Sequence, residues 1–336
     1  MKTTLFLAVD GGNSKTDIVL GTVHGEVLAF LRGPGSSPHS LGVPGAIRLL
    51  DALVADARLV GGVAPQTPVA QASVFLAGAD LPVEVERLHK EVAALSWAER
   101  STVDNDTFAL LRAGTSIPDA IAVVCGAGIN CVGRAADGRT ARFPSLGEIS
   151  GDWGGGQHLG KLALWHAARG EDGRGPATEL SAAVAVHFGR STVEQVSAAL
   201  HLGEIHSDRV YELSPVLFAV AASGDRVATG VVREQAEEIL ALHRVAAGRL
   251  GLQAKRHAVV LGGGVLHARH PMLHDAVLAG IRVAAPLAEV TVVSDPPATG
   301  AALLALDVLG AAPDVEPKLR EALRRPPATA ASEAAA

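Results

Sequence analysis

Residues 5–31 read LFLAVDGGNSKTDIVLGTVHGEVLAFL. Short apolar runs alternate there with turns that contain glycine, which is typical of a meander of short β-strands. The predicted strands are Leu5–Val9, Asp17–Thr22 and Glu26–Leu31. Farther along, apolar residues between Ile47 and Ala57 recur at helical spacing, so the period of the pattern changes from two to about 3.6. Strands followed by helices predict an α/β fold.

The second half of the chain begins as the first half does. An apolar strand, a small-residue turn and a second strand occur in Ala8–Lys15 and again in Ala122–Asn130, which leaves an internal duplication open. A chain of 336 residues is long enough for two domains, and we place their boundary near Ile117 and Pro118. Residues 311–336 are rich in Pro, Ala and Arg and lack apolar periodicity, so a flexible tail is expected there.

Composition and charge argue against several classes of binding partner. A formal net charge of -6 provides no broad cationic surface for nucleic acid or an anionic membrane. No apolar run approaches the roughly 20 residues of a transmembrane helix. The two cysteines, Cys125 and Cys131, match no paired zinc-ligand spacing and are expected to be buried and reduced. We therefore expect a cytoplasmic protein that acts on a small molecule.

The first turn has a composition that suits a phosphate group. It comprises Asp10, Gly11, Gly12, Asn13, Ser14, Lys15 and Thr16. Missing Cβ atoms allow backbone N–H groups to approach an anion, and Lys15 and the hydroxyls add contacts. Asp10 could hold Mg²⁺ through water. The spacing of a Walker A loop is absent, and an ordinary hairpin with a solvated lysine would have the same sequence.

Two further glycine loops each follow an apolar strand. They are Gly126-Ala127-Gly128 and Gly262-Gly263-Gly264. Three such loops suit one nucleotide that is approached from several sides. The first of the two is followed by strand-like residues rather than by a helix, which argues against a dinucleotide-binding site.

Two acidic positions are candidates for chemistry. Asp106 follows a short strand and precedes an apolar helical run, so it either caps that helix or acts as a general base. Residues 148–156, EISGDWGGG, place Glu148 and Asp152 in a glycine-rich loop before another helix. That loop either presents carboxylates to hydroxyl or ammonium groups or is a plain connector.

Taken in order, these motifs resemble the BadF/BadG/BcrA/BcrD-type ATPase and N-acetylglucosamine kinase family. The motifs are Asp10-Gly11-Gly12, Asn105-Asp106, Gly126 to Asn130, Gly151-Asp152, Gly262 to Val265 and Gly300-Ala301-Ala302. The resemblance covers about residues 4 to 308. It implies an α/β, duplicated actin-like ATPase (ribonuclease H-like) fold, with two lobes, 1–117 and 118–297, around a nucleotide cleft. A helix at 298–310 would return to the first lobe.

The resemblance also implies roles for residues. The loop after Asp10 would bind the phosphates of ATP with Mg²⁺, and Asp106 would be the catalytic base. The glycines from Gly262 would line the adenosine pocket. The residues implied for the sugar site are Ser37, Asn105, Asp106, Asn130, Glu148 and Asp152. A homodimer is expected from the resemblance alone.

Departures from the family pattern bear on the sugar. Ser37 stands before Pro38 where N-acetylglucosamine-binding members often have Asn, and Trp153 replaces a usual Glu. Ala127 and Ile129 stand where Thr and Ser are usual. Carboxylates stabilise a charged amine. The GDWGGG stretch also resembles actinobacterial glucosamine kinases, so we predict phosphorylation of the 6-hydroxyl of glucosamine.

Three alternatives stay open. The first is an N-acetylglucosamine kinase, and the second is a catalytically silent sugar sensor. The third is an ATPase that activates a radical enzyme, although such proteins hold an iron–sulfur cluster through suitably separated cysteines. The zinc-binding cysteine cluster of the other large bacterial sugar-kinase family is missing from this sequence.

Overall fold

The computed structural model describes residues 3–331, which divide into two compact units. The first unit contains the residues up to Ala122 and those from Val293 on; the second is Val123–Val292. The division falls inside a strand, a few residues after the boundary predicted at 117/118. Residues 332–336 of the predicted tail lie outside the described part.

In its described residues, the first unit has five helices around one sheet. Its strands are β1 (Leu5–Gly11), β2 (Lys15–Thr22), β3 (Val27–Pro34), β4 (Gln71–Leu76), β5 (Ser101–Asn105) and β11 (Ala328–Thr329). Its helices are α1 (Pro38–Val60), α2 (Pro82–Ala94), α3 (Asp106–Gly114), α11 (Pro297–Leu309) and α12 (Val315–Leu323).

The second unit is built mainly of helices around a second sheet. Its strands are β6 (Ala120–Cys125), β7 (Ile129–Arg134), β8 (Thr140–Arg142), β9 (His257–Gly262) and β10 (Ala288–Val292). Its α-helices are α4 (Gly156–Glu171), α5 (Leu180–His187), α6 (Val193–His201), α7 (Leu213–Ala222), α8 (Arg226–Leu250), α9 (Gly264–His267) and α10 (Pro271–Ala284). Short 3₁₀ turns cover Gly147–Ser150 and Ser207–Glu212.

The sheet of the first unit is mixed. Its strand order is β11-β3-β2-β1-β4-β5. The predicted meander β1–β2–β3 is antiparallel, whereas β1 pairs with β4 and β4 with β5 in parallel. The carboxyl ends of β1, β4 and β5 therefore meet at one edge of the sheet.

Both faces of this sheet are covered. Alternate residues of β1 point to opposite faces: Leu7 and Val9 join the core beneath α1 and α2, and Phe6 and Ala8 join the core beneath α11 and α12. This explains why β1 reads as a continuous apolar run rather than an alternating one.

The sheet of the second unit repeats the same order. It runs β10-β9-β6-β7-β8, so three sequential strands lie beside two later strands, as in the first unit. Strands β9 and β10 are parallel, and β7 and β8 are antiparallel. Each unit therefore contains a mixed sheet with helices, and five strands follow the same order in the two sheets.

Helix α11 lies directly against α3. A Cβ atom on Gly300 would overlap the carbonyl oxygen of Ala109 and come within 2.6 Å of the Ala113 nitrogen, so the two backbones touch at this glycine. Arg112, which lies between Ala109 and Ala113, donates hydrogen bonds to Asp307 (2.8 Å) and Glu316 (2.7 Å). These contacts between residues 109 and 113 hold α3 in place, and Asp106 is the first residue of that helix.

The segment predicted to be a flexible tail is folded where it is described. Helix α12 buries Leu319 and Leu323, and β11 adds to β3. Arg320 donates to Asp295 at 2.7 Å and to the carbonyl of Ala113 at 2.7 Å. The few apolar residues were too widely spaced to indicate a packed element, but the neighbouring core of the first unit supplies the burial that the segment lacks alone.

Among the described residues, no single helix is both long and apolar enough to cross a membrane. The segments Ser207–Ala222 and Arg226–Leu250 meet the length and composition test only as a pair, and they are bent by 113°.

We expect Gly300→Ala to lower the free energy of unfolding by about 1–3 kcal/mol, because the new methyl group meets backbone atoms of α3 that cannot rotate away. Denaturant unfolding measures this change. Gly230→Ala in α8 is the control, since a Cβ there would meet nothing within 4 Å. Equal stability of the two variants would contradict the close contact of α11 with α3.

We expect a loss of stability in mild acid that depends on His243. Burial, with smaller contributions from His257 and Arg244, lowers the pKa of His243 from 6.5 to about 4. The unfolded chain therefore binds more protons between these values, and the free energy of unfolding should fall by about 3 kcal/mol as the pH drops from 6.5 towards 4.

Urea unfolding at several pH values tests this expectation in His243→Leu, which removes the titrating group. His243 makes no hydrogen bond with the described residues, so the variant should show a flatter pH dependence without losing a bond. His267→Gln, at an exposed position, should keep the wild-type slope. An unchanged slope in His243→Leu would contradict the assignment.

Candidate active site

Carboxylates gather where β1, β4 and β5 end. Asp10 lies near the end of β1, Asp80 follows β4, and Asp106 follows β5. Parallel pairing brings these strand ends to the same edge, which is where open α/β sheets place their ligands.

Asp10 is buried, with 7% of its surface exposed, and its carboxylate accepts no hydrogen bond from the described side chains. Burial raises its pKa well above the usual range, and the charges of Asp106 and Asp17 raise it further, against the opposing effect of Lys15 and Arg32. Such a carboxylate is costly unless a cation compensates it. The residue therefore fits the magnesium-binding role predicted for it.

The negative charge of Asp17, unlike that of Asp10, is compensated by direct contacts with cationic side chains. Arg32 donates to both Asp17 oxygens, at 2.7 and 2.8 Å, and the Lys15 ammonium lies 3.5 Å from Asp17. The pair holds β2 to β3 beside the first loop.

Asp106 is not the capping residue of its helix. Asn105 takes that role, because its side-chain oxygen accepts a hydrogen bond from the Thr107 N–H at 3.0 Å. Burial raises the pKa of Asp106 to about 6, although its hydrogen bonds with Thr107 act in the opposite direction. A carboxylate with this pKa can accept a proton near neutral pH.

Asn105 also joins a hydrogen-bond network that the sequence did not reveal. Its side-chain amide donates to Asp80 at 2.8 Å. Glu84 accepts from the N–H groups of Asp80 (3.1 Å) and Leu81 (2.9 Å), and His39 lies 3.4 Å from Glu84. The only available signal was Pro82 followed two residues later by Glu84, a helix-start pattern. The network fixes the loop after β4 beside Asp106.

The first glycine loop is a tight hairpin between β1 and β2. The N–H of Gly12 donates to the Lys15 carbonyl at 2.8 Å, and Asn13 and Ser14 are exposed. A Cβ on Gly11 would overlap Ser36 and Leu76, which explains the glycine.

Two predicted site residues of this unit have buried hydroxyl groups. Thr16 donates to the Pro34 carbonyl at 2.7 Å and lies 2.8 Å from the Ser36 hydroxyl, so it holds strands β2 and β3 together. Ser37 is buried directly before α1, and its hydroxyl has no partner among the described residues.

In the second unit the predicted glycine loops contact one another. The Gly156 N–H donates to the Gly126 carbonyl (2.7 Å), so the start of α4 lies on the turn after β6. A Cβ on Gly263 would lie 2.5 Å from the Cys125 carbonyl carbon, and one on Gly155 would lie 2.5 Å from the Gly128 Cα. Side chains at these positions would separate the loops.

A pocket of about 390 Å³ opens beside these loops. Its lining includes Ala127, Gly128, Glu148, Asp152, His158 and Lys161. One oxygen of Asp152 accepts from the Ser150 hydroxyl (2.7 Å) and the Gly147 N–H (3.0 Å), which closes the loop. Neither Asn130 nor residues 262–264 line this pocket. The structure thus brings Glu148 and Asp152 together with the second glycine loop only.

Three polar residues of this region were missed. Gln235, fully buried in α8, accepts a hydrogen bond from the Gly155 N–H at 2.9 Å. His158 packs edge-on against Trp153, with ring centroids 4.9 Å apart, and burial lowers its pKa. Lys161 lies one turn further along α4. Gln235 alone had a detectable signal, since it is a polar residue on the apolar stripe of a long helix.

A family model described as the BadF/BadG/BcrA/BcrD ATPase family matches residues 7–305. The chain belongs to this family. The match includes every residue singled out above for a site, from Asp10 to Gly264.

Two relatives that are similar in sequence are named as sugar kinases. An N-acetylmuramic acid/N-acetylglucosamine kinase of Clostridium acetobutylicum is 26% identical over 78% of this chain and 85% of its own length. An N-acetyl-D-glucosamine kinase of Dictyostelium discoideum is 25% identical over 91% of this chain and 99% of its own length.

Solved structures show the fold of this family member. A proposed N-acetylglucosamine kinase from Chromobacterium violaceum superposes with a TM-score of 0.68 at 24% identity, over 90% of this chain and 99% of that one. A ROK family glucokinase from Streptomyces griseus, in complex with glucose and AMPPNP, superposes with a TM-score of 0.54 at 19% identity, over 90% and 99%. The prediction of an actin-like ATPase fold is confirmed.

Proposed function

We propose that this protein transfers the γ-phosphoryl group of ATP to a hydroxyl group of an amino sugar. The observation that carries the proposal is the pair of carboxylates at one sheet edge, the buried Asp10 and the half-buried Asp106, and the pKa of Asp106 is about 6. The names of the two relatives and the family membership support a sugar as the acceptor.

In this proposal Asp106 is the general base. It is mostly ionised at neutral pH and accepts the proton of the attacking hydroxyl. The hydroxyl oxygen forms its bond to the γ-phosphorus while the bond from that phosphorus to the β–γ bridging oxygen breaks, and ADP leaves with that oxygen. Asn105 takes the capping position of the helix in place of Asp106. Contacts of α3 with Gly300 and Asp307 keep the base in position.

Backbone groups bind the triphosphate. In the first unit, the exposed residues Asn13 and Ser14 and the ammonium of Lys15 are the groups that would contact phosphate. The nucleotide-binding roles of the turns at 126–128 and 262–264 stay predictions. Asp10 is the carboxylate that would hold Mg²⁺ through water. Bound Mg²⁺ would neutralise charge that develops on the transferred phosphoryl group.

The relatives support N-acetylglucosamine as the acceptor better than the glucosamine predicted from sequence. Glucosamine stays a second candidate on one observation: Glu148 and Asp152 line the same pocket, where two carboxylates would stabilise a charged amine. The homodimer, the cytoplasmic location and the roles of Ser37 and Asn130 stay predictions.

The acceptor is tested by ADP release with ATP and Mg²⁺, using N-acetylglucosamine, glucosamine, glucose and no sugar, with mass detection of the phosphosugar. We expect sugar-dependent turnover that is highest with an amino sugar. Preference for glucosamine would favour the role of Glu148 and Asp152. Sugar binding without ADP release would support a sensor, and ADP release without sugar would support an activator ATPase, so either result would contradict the kinase proposal.

The base is tested by Asp106→Asn, which should lower kcat about 100-fold or more while sugar binding is retained. In the wild type, kcat/KM should rise as the pH increases through about 6, because the carboxylate must lose its proton before it can accept one. Asp275→Asn, at an exposed position of α10, is the matched control and should keep full turnover. Near-normal turnover of Asp106→Asn would show that another residue takes the proton.

A further inference from the structure

A second open cavity, of about 670 Å³, lies in the second unit and shares no lining residue with the pocket at Glu148. Helix α4 contributes His166, the segment before α5 contributes Pro176 and Ala177, and the first turns of α8 contribute Arg226, Gly230 and Glu234. No role in the proposed reaction has been assigned to these residues.

The polar groups of this cavity are available to a ligand. The side chains of His166, Arg226 and Glu234 form no hydrogen bond or ion pair with another residue in the described part of the chain. By contrast, Arg174 is paired with Asp172 at 2.6 Å and Arg209 with Glu212 at 2.9 Å. The cavity thus presents a guanidinium, an imidazole and a carboxylate from two helices.

These groups define the chemistry of a ligand. A guanidinium binds phosphate through two parallel hydrogen bonds. Burial lowers the pKa of His166, so its ring is neutral at pH 7 and can both donate and accept a hydrogen bond. Glu234 can accept from hydroxyl groups. A molecule with a phosphate at one end and several hydroxyl groups matches this set.

We propose that this cavity, defined by His166, Arg226, Gly230 and Glu234, binds a sugar phosphate, with the phosphate on Arg226 and the hydroxyls on Glu234 and His166. The choice of a sugar phosphate rests on the proposed function, because that reaction yields one. The neighbour of Glu234 in α8 is Gln235, which accepts the Gly155 N–H beside the glycine loops. Helix α4 also connects the two places, since it carries His158 in the pocket and His166 in the cavity.

The test is calorimetric titration of the whole chain with N-acetylglucosamine 6-phosphate, glucosamine 6-phosphate and inorganic phosphate. We expect saturable binding of a sugar phosphate, weakened about 10- to 100-fold by Arg226→Gln, because a charged hydrogen bond is lost. Gly230→Leu should block the cavity, since the added side chain enters open space and leucine favours a helix.

Two matched measurements keep the outcomes distinct. Arg233→Gln removes a positive charge from α8 outside the cavity and should bind as the wild type does. Asp106→Asn should also keep the site. No sugar-phosphate binding at millimolar concentration, or wild-type binding by both Arg226→Gln and Gly230→Leu, overturns the proposal. Because binding is measured without turnover, this test can disprove the proposed binding site without affecting the proposed kinase activity, and the turnover assay can do the reverse.

Discussion

Parallel pairing of β1 with β4 and of β4 with β5 is the constraint on which the candidate site of the first unit depends. It ends three strands at one edge and gathers carboxylates that the chain separates by many residues. Burial raises the pKa values of Asp10 and Asp106 because it disfavours their charged forms, and the nearby charge of Asp106 raises the pKa of Asp10 further. Such raised pKa values suit the cation-binding and proton-accepting roles proposed for these two residues.

In the second unit, the main constraint is the close contact between the backbones of neighbouring glycine loops. Gly155 and Gly263 lie so close to neighbouring loops that a methyl group would collide with main-chain atoms. Gln235 then satisfies the N–H of Gly155, which no strand or helix bond could reach. The result is a set of turns with exposed backbone beside a small polar pocket, the arrangement suited to phosphate and sugar groups.

Much of this organisation was predictable. The meander, the glycine loops and the candidate base could be read from short apolar runs that end in Gly or Asp, because strand and turn signals are local. The capping role of Asn105, the network of Asp80 with Glu84, and Gln235 could not be read, because each depends on a partner from another element. The folding of α12 was missed for the same reason, since its few leucines find their core in α11 and the first sheet.

The sequence by itself determined the α/β class, the repeated strand-turn-strand start of each half, and the residue types able to bind phosphate and accept a proton. These follow from periodicity and side-chain chemistry, which neighbouring residues set. Only the tertiary structure decided that Asn105 rather than Asp106 caps α3 and that Thr16 is a structural residue. It also decided that Glu148 and Asp152 share a pocket with His158 and Lys161. Burial and hydrogen-bond partners depend on which elements meet, and that is set by packing across the whole unit.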